Sequence, residues 1–245
     1  MNILAVNGLS KSFDGVRAVR EVSFAVSAGE LLAMIGPNGA GKTTCFNLIN
    51  GQLKPDAGEI LFQARRMHGL PPRELCRLGV GRTFQVAAAF GSMTVRENVQ
   101  VALLSQKRAL GSPFSSLDAS SGNAADKLLQ QVGLDAQAGR LCAELAYGDL
   151  KRVEFAIALA GRPRLLLMDE PTAGMAVAER HRLMALVKDV AKKEGISVLF
   201  TEHDMDVVFN HADRVIVLSE GALIAQGAPA EVRADPRVRS VYLGE

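Results

Sequence analysis

The sequence predicts an α/β fold: a parallel sheet flanked by helices, preceded by antiparallel β structure and interrupted by a helical insertion. Three observations carry this reading. Short apolar runs at 31–35, 165–168 and 196–200 have the length and composition of buried strands. Amphipathic helical patterns alternate with them, as in βα units. The stretch from about 87 to 160 departs from that alternation and is rich in helix. No internal repeat and no linker splits the 245 residues. One domain is therefore expected, with 1–86 and 161–245 forming the sheet portions and about 87–160 a helical subdomain.

Composition bounds the problem. The chain is 48% hydrophobic and 22% charged, enough apolar content to bury a sizeable core. The net charge of +2 and the lack of a basic tract give no footprint for nucleic acid. No apolar run reaches the roughly 18–20 residues of a membrane span. The opening MNILAVNGLSKSF has no positive leader ahead of an apolar segment, so no signal peptide is expected. Cys45, Cys76 and Cys142 are scattered without metal-ligand spacing, which fits a reducing cytosol. Cys45 reads as a small packed residue, with an oxidation-sensitive thiol as the minority reading.

Residues 3–30 read as β structure, with Val22, Phe24 and Val26 in period two and Asp14-Gly15 as a hairpin turn. Phe13 precedes that turn. On spacing alone it is either core or an aromatic face for a purine.

Leu31–Ile35 then leads into Gly36-Pro37-Asn38-Gly39-Ala40-Gly41-Lys42-Thr43, a complete G-x-x-x-x-G-K-[ST] pattern, and Thr44 to Asn50 reads as a helix. Strand, glycine loop and helix are the context in which this motif binds phosphate. Backbone N–H groups of a tight loop and the helix N-terminus behind them make a concave anion site. Glycines at 36, 39 and 41 provide open backbone angles and keep Cβ atoms away from phosphates. Lys42 supplies charge to the β- and γ-phosphates, and the Thr43 hydroxyl is placed for Mg2+.

Pro55 to Gly58 is a turn before a strand at 59–62. Pro71-Pro72 opens a short helix to about Leu78, and 79–84 is a further strand ending at Gln85. Thr94-Val95-Arg96-Glu97 is a capping box starting a helix to about Gln106. Residues 107–123, rich in Ser and Gly, read as a loop, and 124–132 as a helix. Leu150, Val153, Ala156, Ile157 and Ala160 have helical spacing after Leu145-Ala146-Tyr147-Gly148-Asp149. The strand near 164–170 ends in Asp169 and Glu170, acids delivered to the edge where α/β folds bind ligands. Asp169 can hold Mg2+ through water, and Glu170 is placed to polarise an attacking water. A helix at 176–193 is followed by the 196–200 strand, which ends at His203. That histidine leaves a core strand on the same edge as Asp169 and Gln85, a placement not shared by His68, His181 or His211. A hairpin around Glu220-Gly221 and short helices over 229–245 complete the chain.

The order P-loop, Gln85, LAYGD, LLLMDE, His203 resembles the ATP-binding subunits of ABC transporters over essentially the whole chain. LAYGD stands where that family's signature, usually LSGGQ, is found. RTFQ at 82–85, MTVRENV at 93–99, KRVEFAIALA after LAYGD, TEHDM at 201–205 and the ending YLGE resemble the branched-chain (hydrophobic) amino-acid uptake group. Relatives importing urea, amides or aromatic acids have similar ATPases.

The resemblance implies a RecA-like P-loop NTPase core of the ABC ATPase type, with ATP and Mg2+ as ligands. It implies two ATPase subunits facing head to tail, so that each ATP lies between one P-loop and the partner's signature. By the same resemblance residues 36–44 hold the nucleotide, Phe13 stacks adenine, and Gln85 senses Mg2+ and couples to the permease. Glu170 is the general base, and His203 meets the γ-phosphate. Ala146 and Gly148 serve the partner's γ-phosphate, while 86–93 helps form the groove for a permease helix. Integral-membrane permease subunits and, indirectly, an extracytoplasmic substrate-binding protein are the implied partners. The implied location is peripheral, at the cytoplasmic face of the cell membrane.

Two positions depart from the family. Ala146 replaces the usual signature Ser, and Ala176 stands where Asp or Asn is usual. The second departure motivates the expectation that this subunit works beside a different ATPase subunit. Competing classes are a soluble ABC protein, a small-molecule P-loop kinase and a nucleotide-binding scaffold. They fit less well, because the first usually has tandem domains, the second needs no LAYGD, and the third needs no intact Lys42, Asp169, Glu170 and His203.

Overall fold

A computed structural model describes residues 1–83, 89–106 and 119–243. The predicted Gln85 site and most of the loop at 107–123 lie outside those residues.

The N-terminal hairpin pairs β1 (Asn2–Phe13) with β2 (Val16–Ser27), and β4 (Ala57–Phe62) and β5 (Arg65–Arg66) extend it to an antiparallel sheet ordered β2-β1-β4-β5. The second sheet has the order β10-β9-β3-β8-β7-β6. Its strands are β3 (Leu31–Ile35), β6 (Val80–Thr83), β7 (Leu165–Asp169), β8 (Ser197–Thr201), β9 (Arg214–Ser219) and β10 (Ala222–Gly227). The first five run parallel, and β10 closes the edge antiparallel to β9.

The central strands are buried on both faces because both faces carry a core. Leu31, Ala33 and Ile35 of β3, Leu166 and Met168 of β7, and Val198 and Phe200 of β8 enter one cluster. Leu32 and Met34, Leu165 and Leu167, and Leu199 alternate into the other, which also holds the antiparallel sheet and the helix α1 (Lys42–Ile49). A one-residue slip would exchange the two sets, so the pleat fixes register. It also fixes which residues leave the C-terminal edge.

Helix α2 (Pro72–Leu78) precedes β6. Between β6 and β7 the described chain carries α3 (Val95–Gln106), α4 (Ala119–Gln131) and α5 (Tyr147–Ala160). Thr94 and Glu97 form the expected reciprocal cap: Glu97 Oε2 accepts from Thr94 N–H at 2.7 Å, and Thr94 Oγ1 accepts from Glu97 N–H at 3.2 Å. Two boundaries differ from the sequence expectation. Helix α4 begins at Ala119 rather than 124, because the Ser- and Gly-containing turn packs on α3, where Gln100 Nε2 donates to the buried Ser121 Oγ at 3.3 Å. Tertiary contact thus overrides the loop signal. Helix α5 begins at Tyr147, which places Gly148 in its first turn. The chain ends with α6 (Val177–Glu194), α7 (Met205–His211), α8 (Pro229–Ala234) and α9 (Pro236–Leu243).

Candidate nucleotide site

The parallel register brings the ends of β3, β7 and β8 to one edge. A cleft of about 200 Å³ there is lined by Ala18, by Asn38 to Thr44 of the glycine loop, and by Glu170 and His203. Residues far apart in sequence thus meet at one concave surface.

The glycines act differently from the sequence expectation at two positions. A Cβ on Gly36, at φ 155°, would lie 2.2 Å from the Leu218 carbonyl oxygen, and one on Gly41, at φ 98°, would lie 2.4 Å from the Ala18 carbonyl oxygen. Both positions require glycine because the loop is pressed against the protein's own backbone, before any phosphate is considered. Helix α1 starts directly behind the loop with Gly41 as its N-cap, so its free N–H groups face the cleft. Lys42 Nζ donates to the carbonyls of Gly36 (2.6 Å) and Pro37 (3.1 Å). Burial pulls the Lys42 pKa below 10.5, opposed by the charges of Glu170 and Asp169. Those same carboxylates therefore stabilise the ammonium that a polyphosphate would meet.

Asp169 is buried at the end of β7. Its Oδ1 accepts from the Thr201 hydroxyl at 2.8 Å, and its Oδ2 faces Arg82 Nη2 at 3.4 Å. Glu170 follows at φ 49°, in the left-handed region that side chains rarely adopt. It is held there by its N–H, which donates to Thr201 Oγ1 at 3.0 Å and to the Thr201 carbonyl at 3.2 Å. Glu170 Oε1 lies 2.5 Å from His203 Nε2, and because a carboxylate accepts, this contact places the proton on Nε2. The neighbouring Glu202 is buried and accepts from both the N–H (2.9 Å) and the hydroxyl (2.6 Å) of Thr172. Burial raises the Glu202 pKa above 4.5 despite those bonds. Arg180 ties the loops after β7 and β8 together, donating to the Met175 carbonyl and to Asp204 Oδ2, each at 2.7 Å.

The predicted residues divide into groups. Lys42, Thr43, Thr44, Glu170 and His203 line one cleft, with Asp169 beneath it. Phe13 is 41% exposed near the tip of the first hairpin, which removes the core reading, and the Lys11 ammonium lies 5.5 Å from its ring centroid. Ala146 and Gly148 line a separate cavity of about 150 Å³ with Asp149, Arg152, Met175, Glu179, Arg182 and Leu183. Ala146 is the N-cap of α5 and Ala176 that of α6, and neither supplies a side-chain cap. Cys45 is buried and its thiol is pushed up to about 12, which overturns the reading of an oxidation-sensitive thiol. Sequence reasoning missed Arg82, Thr201, Glu202 and Thr172. The signal available for Thr201 was its place at the end of β8 beside Asp169, but pairing of β7 with β8 is not visible in a linear chain.

A groove of about 420 Å³ lies between the sheet and the helices, with Phe90, Val101, Ala102, Ile157 and Pro163 among its apolar lining. Among the described residues no helix is long and apolar enough to cross a membrane.

A family model described as ABC transporter matches residues 19–173, and one described as branched-chain amino acid ATP-binding cassette transporter matches 222–245. The high-affinity branched-chain amino acid transport ATP-binding protein LivG of Salmonella typhimurium is 39% identical over 250 residues, covering 99% of this chain and 98% of LivG. The crystal structure of the ADP conformation of MJ1267, an ATP-binding cassette of an ABC transporter, matches with a TM-score of 0.91 and 33% identity over the whole of both chains. The ATP-binding cassette MJ0796, solved as a dimer in a post-hydrolysis state bound to ADP and Pi, matches with a TM-score of 0.77 and 25% identity, covering 92% of this chain and 98% of that one.

Proposed function

Because the chain belongs to the ATP-binding subunits of ABC transporters, we propose that it hydrolyses ATP in the 38–44/Glu170/His203 cleft to drive uptake of branched-chain or other hydrophobic amino acids. The observation that carries the chemistry is the single cleft lined by the glycine loop, Glu170 and His203. The match of residues 222–245 and the likeness to LivG support the substrate class.

In this reading the loop N–H groups and α1 hold the phosphates, with Lys42 turning from the loop carbonyls to the β- and γ-phosphates. Phe13 gives one ring face to adenine. Glu170 accepts a proton from the attacking water, and His203 fixes the carboxylate and reaches the γ-phosphate. The Thr43 hydroxyl and the Asp169 carboxylate are hard oxygen donors that fit Mg2+. Gln85 would supply a further oxygen donor, and Asp169 would act through a bound water. The ion, when bound, neutralises charge building on the phosphates.

The whole chain is one cassette, with the helical subdomain over about 87–160. Ala146 and Gly148 share no lining residue with the P-loop cleft. A complete site therefore needs a second ATPase subunit, whose signature meets this P-loop while Gly148 and α5 serve the partner. The subunit docks on permease subunits through the groove holding Phe90 and sits at the cytoplasmic membrane face; a binding protein delivers substrate to the permease and is only an indirect partner of this chain.

Uptake of radiolabelled leucine by cells in which Lys42→Ala replaces the native chain tests the reading. Loss of uptake with unchanged subunit abundance supports it. Normal leucine uptake with lost uptake of urea or an amide assigns the related substrate instead.

A further inference from the structure

A second cavity is remote from the nucleotide cleft. It measures about 510 Å³, and Arg65, Arg77, Arg162 and Arg164 line it with no carboxylate among them. Gly79 leads into β6 and Arg164 into β7, so the cavity opens at the N-terminal edge of the sheet, opposite the edge that bears the glycine loop. Its outer wall is the β4–β5 hairpin.

Four guanidinium groups around one concavity repel one another, whereas eight other described arginines of this protein lie beside a carboxylate. Among the described residues none of the four cavity arginines does so; Arg164 Nη1 instead donates to the neutral Gln63 Oε1 at 2.9 Å. Arg162 sits at φ 47° just after α5, where glycine is the favoured residue, and its N–H donates to the Leu159 carbonyl at 2.8 Å. A long cationic side chain occupies a strained helix terminus and lines the cavity.

We propose that this cavity binds a multivalent phosphate-bearing anion, at a site separate from the nucleotide cleft. The planar guanidinium fork matches phosphate oxygens in pairs. The volume falls within the range of small-ligand sites and suits a compact anion with more than one phosphate oxygen face. A soluble polyphosphate and a phospholipid headgroup present the same chemistry, and the two are separable by experiment.

Cys76 lines the cavity and is exposed, whereas Cys45 and Cys142 are buried. Maleimide labelling of Cys76 in the full-length protein therefore reports on this cavity and not on the P-loop. The probes are sodium tripolyphosphate, phosphatidylglycerol vesicles, phosphatidylcholine vesicles and a polyglutamate peptide, with sodium chloride at matched ionic strength as the control. At a probe concentration about ten times its dissociation constant, labelling slows about tenfold. The slowing persists in Lys42→Ala and disappears in Arg162→Ala/Arg164→Ala and, separately, in Arg77→Glu. Protection by tripolyphosphate identifies a soluble anion, and protection by phosphatidylglycerol but not phosphatidylcholine identifies a lipid headgroup. Equal labelling with every probe, protection matched by sodium chloride, or protection retained in both arginine variants overturns the proposal. So does protection by a polyglutamate peptide alone, which assigns the cavity to an acidic protein segment.

Discussion

His203 Nε2 and Glu170 Oε1 lie 2.5 Å apart, although the residues are 33 positions apart in the chain. The parallel pairing of β7 with β8 sets this contact, because both residues leave neighbouring strand ends. If the imidazole holds the carboxylate toward the attacking water, His203→Ala should lower phosphate release about 100-fold while leaving the KM for ATP within about threefold. Steady-state kinetics on the assembled transporter checks this split. A change confined to KM would assign His203 to binding alone.

Thr201 is fully buried and serves both acids, donating to Asp169 and accepting from the Glu170 N–H. Thr201→Val keeps the shape and removes both bonds. Unfolding stability should fall by about 1–3 kcal/mol, since a buried Asp169 oxygen loses its donor while the Glu170 N–H keeps only the Thr201 carbonyl. Denaturant titration measures the loss, and Thr201→Ser should recover most of it. The same variant should need more Mg2+ for half-maximal ATP hydrolysis.

Glu202 gives a pH dependence of defined sign. Burial raises its folded pKa above 4.5, so the native state keeps the proton longer than the unfolded chain. Where the native state holds more protons, stability falls as pH rises, beginning near the unfolded value and ending above the folded one. Glu202→Gln should flatten that decline. Denaturant melts of both proteins at about pH 5 and about pH 8 compare the slopes. An unchanged slope would remove Glu202 as the source.

Much of this architecture was readable in advance for physical reasons. Strand β3 and the body of β7 are continuous apolar runs, and β8 is mostly apolar, because both faces are covered; the Thr94–Glu97 cap is a local pattern visible in four residues. The glycine loop is equally local. Long-range partners were not readable. Arg82 beside Asp169, Thr201 beneath both acids, and the Leu218 and Ala18 carbonyls against Gly36 and Gly41 all depend on how strands pair. The early start of α4 at Ala119 was hidden because Ser and Gly signal a loop until α3 packs against them.

The N-cap of α5 is Ala146, which supplies no side-chain hydrogen bond to the helix start. Ala146→Ser would add a hydroxyl acceptor there and should stabilise the fold by about 1 kcal/mol. Thermal unfolding without nucleotide measures this apart from any effect on turnover. No rise in melting temperature would show that α5 gains nothing from a capped start.

In the proposed mechanism Glu170 activates water for an ATP held by the glycine loop. The direct measurement is ATP binding and phosphate release by the Glu170→Gln transporter beside the wild type. ATP–Mg2+ binding should be retained with release reduced about 100-fold or more. Release at the wild-type rate would contradict it.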